Sequence, residues 1–236
     1  MRSESLSDSD SQPDAITLDD VRLEVDGAVL LRDVTLRLNS TRTAVIGANG
    51  SGKSTFGRLL NGLRSPTAGT IRVHGLDPVR EASAVRRRVG FVFTNPETQI
   101  LMPTPAEDLT LSLRDTPRAE RPARVEALLA EYGLADKSDV PVSSLSGGQR
   151  QLLAIAAVLA TEPALVVADE PTTLLDLRNA RRIGDLLLSL GVPLVLITHD
   201  LELAARCDEA VLFEDGGVRA VGAPDAVIDE YRRSLA

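Results

Sequence analysis

Aromatic side chains are scarce in this chain of 236 residues: they make up 3% of it, and tryptophan is absent. Basic residues are also in the minority, with 26 Lys and Arg against 34 Asp and Glu, a net charge of −8. A surface that binds nucleic acid needs a basic stripe or stacking aromatic side chains. The composition therefore argues against a nucleic-acid partner.

Cysteine and long apolar runs are lacking as well. With Cys207 as its one cysteine, the chain has neither an intramolecular disulfide framework nor a metal site built from several cysteines. Its longest apolar runs, residues 152–160 and 164–168, are well short of the roughly 18 residues of a membrane span. The N-terminus has no apolar segment of the signal-peptide kind. We therefore expect a soluble, cytoplasmic protein that reaches a membrane only through partners.

The order of patterns along the chain predicts an α/β fold. Residues 1–14 are rich in Ser and Asp, which predicts a disordered extension before a single domain, residues 15–236. Short alternating strands open that domain, with Asp26-Gly27 as a hairpin turn. Apolar strands then alternate with helices, which predicts a parallel sheet covered on both faces, with an antiparallel β edge. Prolines punctuate residues 95–145, interpreted as an inserted helical subdomain, and Arg86, Arg87 and Arg88 are expected to be solvated residues at a strand entry.

Residues 47–55, GANGSGKST, match the pattern G-x-x-x-x-G-K-[ST] between a predicted strand and a predicted helix. Glycines let backbone N–H groups fold around phosphates, and the start of the helix favours negative charge. Lys53 would reach the β- and γ-phosphates, and Ser54 would hold Mg²⁺. The predicted nucleotide-binding residues of this loop are Gly47, Asn49, Gly50, Ser51, Gly52, Lys53, Ser54 and Thr55. The sequence therefore predicts binding of a nucleoside triphosphate.

Two further motifs follow the phosphate loop. An apolar strand ends in Asp169 and Glu170, at the edge of a parallel sheet where ligands bind. Asp169 suits a role at Mg²⁺, and Glu170 is placed to orient and polarise an attacking water. Residues 145–149, LSGGQ, begin a helix with Ser146 as a possible N-cap. Alone, the first motif is also compatible with an acidic strand end, and the second with an ordinary helix start.

In this order, the three motifs resemble those of the ATP-binding cassette (ABC) family, over residues of about 15–225. In that family two ATPase subunits pack head to tail, and each ATP lies between the phosphate loop of one subunit and the signature of the other. The resemblance implies that Glu170 and His199 are catalytic, and that Asp176 reaches across the interface. It also implies a nucleotide-binding signature made of Ser146, Gly147, Gly148 and Gln149.

Three positions depart from the family pattern. Thr94 stands where a glutamine contacts Mg²⁺ and water, so the metal residues implied are Ser54, Asp169 and Thr94, the last through a water. Val25 stands where an aromatic side chain stacks on adenine, which leads to the hypothesis of weak base discrimination. Leu174 replaces a small residue in the loop before Asp176.

The stretch FTNPETQILMPTPAEDLTLSL resembles the N-P-x-x-Q…P-T-x-x-E-D pattern of energy-coupling factor ATPases, which drive uptake of vitamins and of cobalt or nickel ions. The matching residues are Asn95, Pro96, Gln99, Pro103, Thr104, Glu107 and Asp108. In that family this region forms the groove that receives the coupling helix of a transmembrane partner. The substitution of Thr at position 94 is a further feature in which this chain resembles the biotin modules of that family.

The resemblance implies a Mg²⁺-dependent ATPase, peripheral on the cytoplasmic face of the cell membrane. Its expected partners are a second ATPase subunit, identical or paralogous, a transmembrane coupling protein and a substrate-binding membrane subunit. Two alternatives stay open. The chain could be the ATPase subunit of another ABC importer, or a soluble scaffold that dimerises with ATP and has no part in transport.

Overall fold

The computed structural model describes residues 16–235, so the predicted N-terminal extension lies outside the described residues. The strands are β1 (Ile16–Val25), β2 (Ala28–Leu38), β3 (Arg42–Ile46), β4 (Ala68–Val73), β5 (Val89–Val92), β6 (Leu165–Asp169), β7 (Leu194–Ile197), β8 (Glu209–Glu214) and β9 (Gly217–Gly222). The helices are α1 (Lys53–Leu60), α2 (Ala82–Arg88), α3 (Pro105–Ser112), α4 (Arg121–Glu131), α5 (Gly147–Leu159), α6 (Leu177–Leu188), α7 (Leu201–Ala204) and α8 (Pro224–Ser234).

These strands form two sheets. The larger has the order β5-β6-β7-β3-β8-β9 and is parallel except for β9, which pairs antiparallel with β8. The smaller is antiparallel, with the order β2-β1-β4. Asp26 and Gly27 form the two-residue turn between β1 and β2, both with positive φ, as such turns require. The predicted α/β fold with an antiparallel edge is confirmed.

Both faces of the large sheet are buried, because successive side chains of a strand point to opposite faces. In β6, Leu165 and Val167 join an apolar core shared with α1 and the small sheet. Val166 and Ala168 join a second core shared with α5, α6 and α8. This arrangement explains why the central strands are continuously apolar in the sequence.

The strand order brings three loops to one edge of the sheet. β7 lies between β6 and β3, with Ile197 opposite both Asp169 and Val45. Because these strands are parallel, the segments that follow Ile46, Asp169 and Ile197 all begin at the carboxyl end of the sheet. The phosphate loop and the residues predicted to be catalytic are positioned there.

The segment between β5 and α5 is largely helical. Residues 95–145 form α3, α4 and three short 3-10 turns. Arg86, Arg87 and Arg88 are exposed, as expected, but they form the last turn of α2, a helix that the sequence did not predict. Only Val85 of α2 is buried, so the helix has no apolar periodicity to reveal it. Within residues 16–235, no helix has both the length and the apolar character needed to cross a membrane.

Candidate active site

The phosphate loop is held between the start of β2 and the end of β8. A Cβ on Gly47 would stand 2.2 Å from the carbonyl oxygen of Phe213, and Gly47 has a φ of +141°. A Cβ on Gly52 would stand 3.0 Å from the carbonyl oxygen of Leu30, at a φ of +103°. Both glycines are therefore required by close approach and by backbone conformation. The backbone N–H of Gly216 also donates to the Ser51 carbonyl at 3.1 Å, which ties the loop to the β8–β9 turn.

Lys53 is buried at the first position of α1. Its ammonium donates to the carbonyl oxygens of Gly47 and Ala48, both at 2.8 Å. Burial lowers the pKa of Lys53, and the carboxylates of Glu170 and Asp169 oppose that shift. The charge is thus held against the backbone of the loop, where a phosphate would be surrounded by N–H groups.

The three residues predicted at the metal lie together. The Ser54 hydroxyl donates to Asp169 Oδ1 at 2.8 Å, and the Thr94 hydroxyl donates to the Asp169 carbonyl oxygen at 2.8 Å. Asp169 is buried, and burial raises its pKa against the Ser54 hydrogen bond and nearby cations. A hydroxyl and a carboxylate oxygen side by side are hard oxygen donors, which fit Mg²⁺.

Glu170 and His199 meet at the ends of neighbouring strands. His199 Nδ1 lies 2.6 Å from Glu170 Oε2, and the same oxygen accepts a hydrogen bond from the Thr173 hydroxyl at 2.9 Å. Glu170 has a φ of +51°, and its backbone N–H donates to the Ile197 carbonyl at 2.9 Å. A non-glycine residue with positive φ is uncommon, and such strain concentrates at functional sites.

The signature turn and the loop before α6 are both N-terminal caps. The Ser146 hydroxyl accepts from the Gln149 backbone N–H, and the Gln149 side chain accepts from the Ser146 backbone N–H at 2.8 Å. Asp176 caps α6 by accepting from the backbone N–H of Asn179 at 2.9 Å. Within residues 16–235, no hydrogen bond joins these two caps to residues 47–55. Within one chain, the predicted nucleotide-binding residues therefore fall into two separate groups.

Two glutamines beside the site carry roles that the sequence did not predict. Gln99 accepts from the Phe93 backbone N–H and donates to the Ala154 carbonyl, both at 3.2 Å, while Gln151 donates to the Phe93 carbonyl at 3.4 Å. Both amides are therefore committed to backbone groups that join the segment before Thr94 to α5. Gln151 is buried although it directly follows Gln149 and Arg150, so the sequence carried no signal that separates it from its polar neighbours.

Comparison with known proteins gives consistent matches. Residues 31–173 match the family model described as ABC transporter. The chain is 40% identical over 210 residues to the biotin transport ATP-binding protein BioM of Rhizobium etli, covering 88% of this chain and 93% of that protein. It is 38% identical over 194 residues to the energy-coupling factor transporter ATP-binding protein EcfA1 of Halalkalibacterium halodurans, covering 79% and 70%.

A solved structure agrees with these relatives. It is cbiO1 from Clostridium perfringens, described as part of the ABC transporter complex cbiONQ. Its TM-score is 0.81 at 29% identity, and the match covers 91% of this chain and 90% of that one. With its phosphate loop, its Asp169-Glu170 pair and its capped signature helix, the chain belongs to the ABC transporter family as an ATP-hydrolysing subunit.

Proposed function

We propose that the chain energises an importer of the energy-coupling factor type, and that the imported solute is a vitamin, with biotin first, or a cobalt or nickel ion. The single observation that carries the ATPase part is the meeting of Glu170 and His199 beside Lys53 and Ser54. The names of BioM and EcfA1 and the resemblance of residues 93–113 support the transporter part. In this proposal, a separate membrane subunit selects the solute.

ATP would bind with its phosphates in the loop of residues 47–55. Backbone N–H groups and the start of α1 favour the anionic phosphates, and Lys53 would exchange its two carbonyl acceptors for phosphate oxygens. Ser54 and Asp169 would hold Mg²⁺, with Thr94 offering its remaining lone pairs to a bound water. When bound, Mg²⁺ neutralises charge on the β- and γ-phosphates.

Hydrolysis would use the Glu170 carboxylate to orient and polarise the water that attacks the γ-phosphorus. As the new phosphorus–oxygen bond forms, the bond between the γ-phosphorus and the bridging oxygen breaks, and ADP and inorganic phosphate are the products. His199 would hold that carboxylate through its Nδ1 side and contact the γ-phosphate with the rest of its ring, which is 59% exposed. Thr173 adds a second donor to the same carboxylate oxygen. Positioning of this kind, together with electrostatic stabilisation, accounts for almost all of the catalysis in phosphoryl transfer.

The signature would act on a second cassette. Within residues 16–235, the exposed N-terminal caps of α5 and α6 make no hydrogen bond to the phosphate loop of their own chain, which favours a role toward another cassette. In a head-to-tail pair, the N–H groups at the start of α5 would instead meet the γ-phosphate of the partner's ATP. The second cassette is an identical copy or a paralogue.

The residues that carry the resemblance to energy-coupling factor ATPases hold one surface loop in a fixed conformation. Thr104 and Glu107 form a reciprocal capping box at the start of α3. The buried Asp108 accepts from the backbone N–H groups of Leu101 and Met102 at 2.8 and 3.1 Å. These residues therefore fix a loop that presents Leu101, 74% exposed, to solvent. Buried polar groups that hold a surface loop in one conformation favour a binding role for that loop.

Leu101 and Leu111 border a groove of about 680 Å³, which we assign to the transmembrane partner. The other residues that line it include Arg86, Arg87, Arg114, Asp115 and Glu162. Exposed leucines surrounded by charged side chains are typical of a protein-binding surface. The groove lies between the end of α2 and the end of α3, so a helix held there would contact both the sheet domain and the helical residues 95–145.

The test is a pull-down of the tagged chain from detergent-solubilised membranes of its native host, with Leu101→Asp as the variant and Val79→Asp as the control. Val79 is also apolar and half exposed, and it lies outside the groove. We expect a multi-spanning coupling protein and a small membrane subunit with the wild type and the control, and neither with Leu101→Asp.

Other outcomes would change the proposal. Recovery of two conventional permease subunits would keep the importer and discard the energy-coupling factor type. Recovery of soluble proteins alone would favour the ATP-driven scaffold. Uptake of labelled biotin by cells that carry the assembled complex, lost in Glu170→Gln, would support biotin as the solute, and uptake of Co²⁺ or Ni²⁺ would replace it.

A further inference from the structure

The start of α5 and the start of α6 lie side by side, and one amide side chain fills the space between them. Asn179 donates from Nδ2 to Asp176 Oδ2 at 2.8 Å. The same amide group lies against Gly148, where an added Cβ would stand 2.6 Å from both Cγ and Oδ1 of Asn179. Leu175 lies over the neighbouring Gly147, at 3.9 Å from its would-be Cβ. A single side chain thus contacts the signature and the loop that carries Asp176.

The space beside Gly148 is filled by another residue of the same chain. It is buried and lies inside α5, so it does not need the left-handed backbone conformation that glycine permits. A Cβ at Gly148 would force the Asn179 amide to move, because it would stand within 3.0 Å of that group, and the hydrogen bond to Asp176 opposes this movement. Asn179 in turn is held at two points by one carboxylate, since its backbone N–H also donates to Asp176 Oδ1.

We propose that Asn179 is a positioning residue that fixes the spacing between the signature turn and Asp176, so that one cassette presents both groups together to the nucleotide of the second cassette. This inference rests on the proposed function, which assigns both helix starts to that nucleotide. The phosphate loop of the same chain is not part of the contact. Asn179 should therefore act on assembly and turnover, and leave nucleotide binding by the isolated cassette unchanged.

The two interactions of Asn179 are separable by substitution. Asn179→Asp keeps the size that covers Gly148, but places a carboxylate against Asp176 where a donor stood. Asn179→Ala removes the hydrogen bond and the cover together. Arg181→Ala is the matched control, because Arg181 is exposed on the same helix and its side chain has no hydrogen bond or ion pair within residues 16–235. Matching thermal unfolding curves check folding, and Asn179→Ser replaces Asn179→Ala if that variant unfolds.

We expect Asn179→Asp and Asn179→Ala to lower kcat about tenfold while KM for ATP changes by less than about twofold. In a Glu170→Gln background, the protein concentration needed for ATP-driven dimerisation should rise about tenfold, measured by analytical ultracentrifugation. Arg181→Ala should match the wild type in both assays. A role limited to folding would instead lower the fraction of active protein and leave the dimerisation of the folded fraction unchanged.

The sharpest test is a rescue. Gly148→Ala should lower kcat at least about a hundredfold, and adding Asn179→Ala should bring kcat to within about threefold of Asn179→Ala alone, because the clash is then removed. A double variant as inactive as Gly148→Ala would show that Gly148 serves only close approach to phosphate, and would overturn the inference.

The dimerisation assay separates this inference from the proposed function. A wild-type protein that dimerises with ATP, together with Asn179 variants that dimerise equally well, would overturn this inference alone. A wild type that binds ATP and never dimerises would overturn the proposed function and this inference with it.

Discussion

His199 Nδ1 and Glu170 Oε2 lie 2.6 Å apart, although the two residues are 29 positions apart in the chain. They follow the ends of β7 and β6, which are neighbours in the sheet. Glu170 is largely covered, with 15% of its side chain exposed, whereas His199 is open to solvent. The pair therefore presents one fixed carboxylate at the edge where the phosphate loop begins.

Replacing Glu170 with glutamine should nearly abolish turnover and trap an ATP-bound dimer. Gln keeps the shape of the side chain but is a far weaker base toward water, and a positioned acid–base group contributes about 10²–10⁴-fold to rate. We expect kcat to fall by at least about a hundredfold, measured by phosphate release, with ATP retained in a dimer on gel filtration. Glu126→Gln, an exposed glutamate on α4, is the control. Turnover near the wild type without a dimer would show that Glu170 is not the catalytic carboxylate.

Replacing Lys53 with alanine should remove ATP binding. The substitution deletes the cation held within the phosphate loop, and a charged hydrogen bond is worth about 1.5–3 kcal/mol, or a rise in Kd of at least about tenfold. Isothermal titration calorimetry with ATP and Mg²⁺ measures the Kd. Lys137→Ala is the matched control because Lys137 is the only other lysine of the chain. Unchanged ATP affinity in Lys53→Ala would refute the assignment of residues 47–55.

Replacing Gly57 with alanine should destabilise the fold. Gly57 lies where α1 packs on the large sheet, and an added Cβ would stand 2.5 Å from Ile197 Cδ1 and 3.4 Å from Val167 Cγ1. Overpacking of this kind typically costs about 1–3 kcal/mol in free energy of unfolding, and the better helix propensity of Ala offsets about 1 kcal/mol of that cost. Urea denaturation measures the net loss. The control is Gly191→Ala, since a Cβ there meets no atom within 4 Å. Equal stability of the two variants would contradict the packing described for α1.

The Cys207 thiol should make the free energy of unfolding depend on pH in the alkaline range. Burial raises the pKa of Cys207 from 9.0 to about 11. The folded protein therefore holds the thiol proton more tightly than the unfolded chain, so this stabilisation is complete below pH 9 and is lost as the pH rises through 11. Between pH 8 and 11, the free energy of unfolding of the wild type should fall by about 2 kcal/mol more than that of Cys207→Ala.

Urea denaturation of both proteins at several pH values gives this difference, since the other titrating groups are common to both. The same burial predicts slow alkylation of Cys207 by iodoacetamide in the native protein at pH 8, and fast alkylation in urea. Parallel pH profiles for the two proteins, or rapid native alkylation, would show that the thiol is accessible.

The chain should discriminate weakly between ATP and GTP. Residues 16–46 contain no Phe, Tyr or Trp, and Val25 at the end of β1 packs partly against the apolar core. Stacking of a base on an aromatic ring is worth about 1–3 kcal/mol. Without such a ring, the nucleotide is held mainly through its phosphates and Mg²⁺, which ATP and GTP have in common. We expect Kd values for the two nucleotides to agree within about threefold in competition titrations, and Val25→Tyr to tighten both. A preference for ATP of tenfold or more would refute the hypothesis.

Much of the fold follows from local pattern. The Asp26-Gly27 turn, the apolar central strands and the capped start of α5 each depend on residues that are neighbours in the chain. The α/β class and the order of the three motifs could therefore be predicted directly. Helix α2 could not, because it is short and buries only Val85.

The tertiary structure decided how the motifs meet. Ser54 and Asp169, 115 residues apart, share a hydrogen bond because β3 and β6 flank β7 in a parallel sheet, an order that apolar strands do not encode locally. Gln99 holds the backbone of the segment before Thr94, and Asn179 covers Gly148. Residue types and spacing determined which chemistry the chain carries. Strand order and helix packing determined which side chains touch, since contacts between distant residues depend on the whole fold.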